Sequence, residues 1–170
     1  MSSPTSRSSA VANPVASLRQ YGQSAWLDFI RRSLIAGGEL TRLVEEDGLG
    51  GVTSNPAIFE KAIDGSNDYA AAIEQITHEE PGLPAKEVYE RLAVKDIQDA
   101  ADVLRKVYDA TSAHDGYVSL EVSPDLANDT DGTLTEARHL WKRVARPNVM
   151  IKVPATPAGL PAIKASSTTT

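Results

Sequence analysis

The chain has 170 residues, 41% of them hydrophobic and 24% charged, enough to close a core of its own and near the usual size of one domain. Lys and Arg number 17 against 23 Asp and Glu, and the resulting formal charge of −6 lacks the electrostatic footprint of a nucleic-acid or anionic-membrane binder. There is no cysteine, which excludes disulfides, iron–sulfur clusters and thiolate chemistry, and no apolar run approaches the ~18 residues of a membrane helix.

Residues 1–12, "MSSPTSRSSAVA", are Ser-rich and lack the apolar segment of a secretory signal, so they read as a disordered tail of a cytoplasmic protein. From residue 13 to 164 short apolar runs alternate with long amphipathic ones, the pattern of βα units around a parallel sheet. Four such units are expected. The first strand is "SAWLDF" (24–29), followed by helical text over 31–47 that Gly37–Gly38 breaks into two helices. The second is "GGVT" (50–53), followed by helical text from Pro56 to Ile63 and over 67–76. A long helix then runs from Ala85 to Ala110, where Val88, Leu92, Ile97, Ala101, Leu104 and Tyr108 recur at near-helical spacing. The third strand is "GYVSLEV" (116–122), with a helix from Leu134 to Val144. The fourth is "NVMIKV" (148–153), with a helix from Ala158 to Ile163, and 165–170 reads as a Ser/Thr tail.

Side chains alternate faces along a strand, so Lys152 shares a face with Met150, while Ile151 and Val153 point the other way. The same rule groups Ser24, Trp26 and Asp28 on one strand, and Tyr117, Ser119 and Glu121 on another. In a βα barrel the face opposite the helices looks onto the barrel axis, and chemistry sits at the C-terminal strand ends. Asp28, Glu121 and Lys152 are therefore expected to converge there. Pro56 holds Asn55 of "TSNP" in an extended conformation, where its amide can meet a ligand hydroxyl. Desolvation in a barrel interior lowers a lysine pKa toward what an amine nucleophile needs, and a neutral amine beside carboxylates suggests Schiff-base chemistry on a carbonyl. A purely structural Lys–Asp–Glu pairing is the competing reading.

Other constellations fail on spacing. His78, His114 and His139 are scattered without ligand spacing and read as surface residues, and no metal site is expected. "DLANDTDGT" looks like a calcium loop, but with Gly132 at the sixth position Ala127 and Arg138 fall where ligands belong. "DGLGG" is neither a Walker loop nor a dinucleotide fingerprint and reads as a helix end entering a strand. Lys142, Arg143 and Arg146 sit late in a helix, where the macrodipole favours cations.

"GVTSNPAIF" (51–59) and "MIKVPATPAGLPAI" (150–163) resemble the two signature segments of the transaldolase family. "GQSAWLDFI", "YERLAVKDIQDAADVLR" and "DGYVSLEVSPDLANDT" resemble its longer bacterial subgroup, and the likeness runs from Asn13 to Lys164. The resemblance implies a (β/α)8 barrel of the TIM type in a transferase of the non-oxidative pentose phosphate pathway. Such an enzyme moves a dihydroxyacetone unit between sedoheptulose 7-phosphate/glyceraldehyde 3-phosphate and erythrose 4-phosphate/fructose 6-phosphate. It implies Lys152 as the Schiff-base nucleophile, Asp28 as the group that takes the C4 hydroxyl proton, and Glu121 as a proton carrier acting through a water. Asn55 would hold a hydroxyl of the retained three-carbon enamine, with Thr53 and Ser119 as weaker substrate-side candidates. The iminium is itself the electron sink, so no cofactor is implied.

Barrels of this kind need about 250 residues, whereas only four units are read here. The threonine that holds the catalytic water and the Ser and Arg residues that bind phosphate come from later strands of the family, and Thr168 to Thr170 match none of them. Two alternatives therefore stand beside the transaldolase expectation. One is a non-catalytic half barrel whose open strand edges call for self-association or a complementing chain. The other is the N-terminal part of a bifunctional transaldolase/glucose-6-phosphate isomerase. A smaller direct sugar-phosphate aldolase fits less well, given the long insertions between Phe59 and Ala110.

Overall fold

The computed structural model describes residues 13–166; the expected tail over 1–12 and residues 167–170 lie outside them. The four predicted strands all form, as β1 Trp26–Leu27, β2 Gly51–Val52, β3 Val118–Glu121 and β4 Val149–Lys152. They make one parallel sheet in the order β1-β2-β3-β4. Each is shorter than the extended text around it, because a ladder lasts only while the neighbouring strand runs alongside. The register sets Leu27 beside Val52, Val52 beside Val118 and Val118 beside Val149. This apolar row faces the helices, and Val52 and Val118 are wholly buried.

The helices follow the predicted alternation. α1, Pro14–Ser17, was not expected; Asn13 caps it by accepting from Val15 N and Ala16 N, and a short 3-10 turn follows. α2 Arg32–Ala36 and α3 Glu39–Glu46 are separated at Gly37–Gly38 as predicted, with Gly38 at φ 80°. α4 is Pro56–Asp64, α5 Ala70–Glu79, and α6 spans Ala85–Ala110 as predicted. α7, Thr130–Val144, starts ahead of the expected Leu134, because Asp129 accepts from Gly132 N and caps it. The text that looked like a calcium loop is thus a helix start. α8, Gly159–Ser166, carries Ala165 and Ser166 inside a helix, where a tail was expected from residue 165.

α6 is the spine. It packs on β3 and touches α2, α3, α5 and α7. Leu92, Ile97, Ala101 and Leu104 are buried as the spacing predicts, and Ala93, Val94, Ala100 and Val107 widen that stripe, while Val88 and Tyr108 stay half-buried. Each fully buried Leu or Ile contributes about 1.5–3 kcal/mol, so this stripe and the Leu27–Val149 row hold the helices on the sheet. Buried Asn148 joins the two by donating from Nδ2 to Ala101 O (2.8 Å) and Gly116 O (2.9 Å). Basic residues at and just after the end of α7 are cross-links: Arg143 meets Glu90 (2.8 Å), and Arg146, two residues past the helix, clasps Asp102 (2.6 and 2.9 Å). His139 is exposed as expected, yet it also reaches buried Glu90 at 2.7 Å.

Candidate active site

The predicted face alternation holds in space. The register places Glu121 opposite Lys152 at the C-terminal ends of β3 and β4, and Lys152 Nζ lies 3.1 Å from Glu121 Oε2. Asp28 follows β1 directly, Thr53 follows β2, and Thr53 Oγ1 donates to Asp28 Oδ1 at 2.5 Å. The three ionisable groups therefore do not form one cluster: Lys152 pairs with Glu121, and Asp28 is held instead by Thr53. β1 and β4 are the outer strands of the four, separated by three strand spacings of ~4.8 Å along the sheet. Asp28 and Lys152 accordingly belong to the two outer strands, with Thr53 and Ser119 on the strands between.

The expected desolvation of Lys152 is not reached among the described residues. Its side chain keeps 38% of its surface exposed, Glu121 keeps 26%, and neighbouring Met150 is 43% exposed. The physical reason is that helices cover only one face of the sheet, and the axis face stands open. Asn55 is extended as predicted (φ −152°, ψ 167°), but its Oδ1 caps α4 by accepting from Ile58 N at 2.9 Å. Ser119 is 3% exposed and bound to the end of β2: Ser54 N donates to its Oγ (3.3 Å), and Ser54 Oγ donates to its carbonyl (2.6 Å). Ser119 thus ties β3 to the end of β2.

Behind Glu121 a cavity opens between α6, α7 and the end of β3, lined by Tyr89, Leu120, Glu121, Ser123 and Glu136 among others. Burial, followed by the Glu121 and Glu136 carboxylates, pushes the Tyr89 phenol up to about 12, so it remains a donor at neutral pH. Glu136 accepts from Ser123 N (2.9 Å) and pairs with Lys86 (3.0 Å), which pins the chain leaving β3 just after Glu121. Neither Tyr89 nor Glu136 was singled out in the sequence. Both look like ordinary polar positions of amphipathic helices, and only the fold turns them toward β3. Among the described residues no group of His, Cys, Asp and Glu has the arrangement of a metal site.

Comparison with known proteins agrees with this geometry. The family described as Transaldolase/Fructose-6-phosphate aldolase matches residues 25–169. The chain is 49% identical over 152 residues to Transaldolase 2 of Nostoc punctiforme, covering 89% of this chain and 39% of that protein. It is 45% identical over 152 residues to the transaldolase of Thiobacillus denitrificans and 44% identical over 156 residues to that of Parafrankia sp., covering 42% of each. The chain therefore spans about two fifths of the length of these relatives, and its four parallel strands with outer helices are part of a TIM barrel. This chain belongs to the transaldolase/fructose-6-phosphate aldolase family.

Proposed function

We propose that the chain carries the nucleophile side of a transaldolase site, acting on phosphorylated ketoses through a Schiff base on Lys152. The observation that carries this reading is the Lys152–Glu121 contact at 3.1 Å on an open sheet face, at the strand ends where barrels of this kind hold their chemistry. Lys152 Nζ attacks the C2 carbonyl of fructose 6-phosphate or sedoheptulose 7-phosphate once its proton has passed to Glu121. Glu121 then returns a proton through a water to the carbinolamine hydroxyl, which leaves as water and gives the iminium. Asp28, held by Thr53, takes the proton of the C4 hydroxyl. The C3–C4 bond breaks, its electron pair moves into the iminium as an enamine, and the aldose phosphate departs. Asn55 Nδ2 holds a hydroxyl of the retained three carbons. Addition to erythrose 4-phosphate or glyceraldehyde 3-phosphate runs the same steps backwards. The iminium stores the electrons, so this scheme uses neither metal nor organic cofactor. On this reading the protein is a cytoplasmic enzyme of the non-oxidative pentose phosphate pathway.

A second reading is favoured by the exposed axis face and by the two-fifths coverage of the relatives: a half barrel that turns over substrate only with a complementing chain or a second copy. Borohydride trapping with fructose 6-phosphate, followed by peptide mass spectrometry, separates the two. A three-carbon adduct on the Lys152 peptide, absent from Lys152→Ala, is expected on the first reading. A folded chain that forms no adduct defeats it and leaves the second.

A further inference from the structure

At the opposite end of the same strands lies a polar group that the proposed chemistry does not use. Trp26 Nε1 donates to both Ser24 Oγ (3.1 Å) and Asp115 Oδ1 (3.2 Å), and Ser24 Oγ donates to Asp115 Oδ2 (2.5 Å). Two glycines make room for this group. A Cβ on Gly51 would lie 2.4 Å from the Trp26 ring, and one on Gly50 would lie 2.0 Å from Ser24 Oγ and 2.3 Å from Asp115 Oδ2. Asp115 is itself fixed in place: its N–H donates to Thr111 Oγ1 (3.0 Å), and Gly116, at φ 87°, donates its N–H to Gly50 O (2.8 Å). The indole thus lies across Gly51, tied at its N–H to the turn that precedes β3.

This arrangement bears on the site because β1 and β2 are joined by only two paired positions, Trp26 with Gly51 and Leu27 with Val52. The core-facing Leu27–Val52 pair already favours this register, since a slip of one residue would send every side chain to the other face, but two pairs leave the strand ends few other contacts to hold them in place. Asp28 and Thr53 are the residues immediately after those two pairs, and the 2.5 Å bond between them exists only in this register. A large ring that fits only over a glycine, with its N–H held by a carboxylate, adds to that preference at the Trp26–Gly51 pair, next to the positions Asp28 and Thr53 occupy.

We propose that Asp115 is a positioning residue for Asp28: it fixes the Trp26 indole across Gly51, and the indole holds β1 and β2 in the register that sets Thr53 Oγ1 on the Asp28 carboxylate. The inference rests on the reading of Asp28 as the group that takes the C4 hydroxyl proton. That step has its own product. An imine formed without cleavage leaves a six-carbon adduct on Lys152 after borohydride reduction. Loss of the C4 hydroxyl proton to Asp28, with scission of C3–C4, leaves an enamine that takes a proton at C3, and borohydride reduces the resulting iminium to a three-carbon adduct.

The test is a single-turnover incubation of the 170-residue chain with fructose 6-phosphate, trapping, and measurement of the six-carbon to three-carbon ratio on the Lys152 peptide. Asp115→Ala is expected to raise that ratio about tenfold, within the ~10²-fold that a 1 Å misplacement costs, while Asp115→Asn, which keeps an acceptor for the indole N–H, stays within about twofold. Trp26→Phe removes only the N–H and part of the ring and is expected to move the ratio in the same direction; it decides the matter should Asp115→Ala fail to fold. Wild-type adduct with an unchanged ratio in the folded variants overturns this inference alone. Wild type without adduct overturns the Schiff-base reading and this inference with it.

Discussion

The molecule holds two cation–carboxylate pairs of opposite character. Arg32 and Asp96 join α2 to α6 in a fully satisfied network. Asp96 is 0% exposed, its Oδ1 accepts from Arg32 Nε (2.9 Å), and its Oδ2 accepts from the Tyr69 hydroxyl (2.7 Å). Tyr69 OH accepts in turn from Arg32 N (3.2 Å), and the guanidinium carbon lies 4.6 Å from the Tyr69 ring centroid. Lys152 and Glu121 share one contact at 3.1 Å, with 38% and 26% of their side chains open. Buried charge serving the fold is tolerated because both carboxylate oxygens are matched and the guanidinium partner lies against them. The Lys152–Glu121 pair, proposed to meet a substrate, sits instead on a face that the helices leave uncovered.

Breaking each pair shows the difference. Lys152→Ala is expected to abolish the borohydride adduct entirely while shifting unfolding free energy by no more than the ~1 kcal/mol of an exposed pair. Parallel trapping and urea denaturation check both halves, and a large loss of stability would recast Lys152 as a structural residue. Asp96→Ala is expected to do the reverse. It strands Arg32 and Tyr69 and destabilises by about 3 kcal/mol, the low end for a broken buried pair because Arg32 keeps 24% of its side chain exposed. A urea midpoint unchanged from wild type would contradict the saturation argument.

A smaller effect of Asp96 lies in its pH dependence. Burial raises its pKa despite the opposing Tyr69 and Arg32 contacts, so the folded chain binds this proton more tightly than the unfolded chain does. Its contribution is full below the ordinary carboxylate range and declines as pH rises through the raised value. Asp68 and Asp102 have lowered values, from hydrogen bonds to Ser33 and Arg146, and slope the other way, so the difference between wild type and Asp96→Asn isolates the effect. That difference is expected to shrink, in wild type's disfavour, from about pH 4 upward. Denaturation curves showing a constant difference across that range would refute it.

How far the sequence reveals these features follows from the kind of regularity each obeys. The strand positions, the span of α6 and the shared face of Asp28, Glu121 and Lys152 come from periodicities of 2 and 3.6, which are local. Who touches whom on that face is set by register, and register depends on residues in other strands. That Thr53 donates to Asp28, and that Ser119 ties β3 to the end of β2, is therefore visible only in the fold. Asp96 lies 64 residues from Arg32 and 27 from Tyr69, so nothing near it in the sequence marks it as the buried acid of α6. Lys152 was expected to be buried because a closed barrel was assumed around it, whereas helices cover only the other face. α1 is different, since the Asn13–Pro14 pair is a legible start signal and the helix was missed only for its shortness.

The smallest expected effect comes from a pair that imitates the buried one in geometry but not in setting. Arg146 grips Asp102 through two bonds of 2.6 and 2.9 Å, as good as any contact in the Arg32 network, and it also holds the Asp102 carboxyl below its usual range. Asp102 nevertheless keeps 55% of its side chain exposed and Arg146 keeps 32%. Water competes for both groups, and salt screens what remains. Arg146→Ala is therefore expected to cost less than about 1 kcal/mol, and most of that loss should vanish in 1 M salt, where the screening length falls to ~3 Å. If it costs as much as Asp96→Ala and resists salt, then bidentate geometry rather than burial is what makes a charge pair structural here, and the contrast between Asp96 and Glu121 needs a different cause.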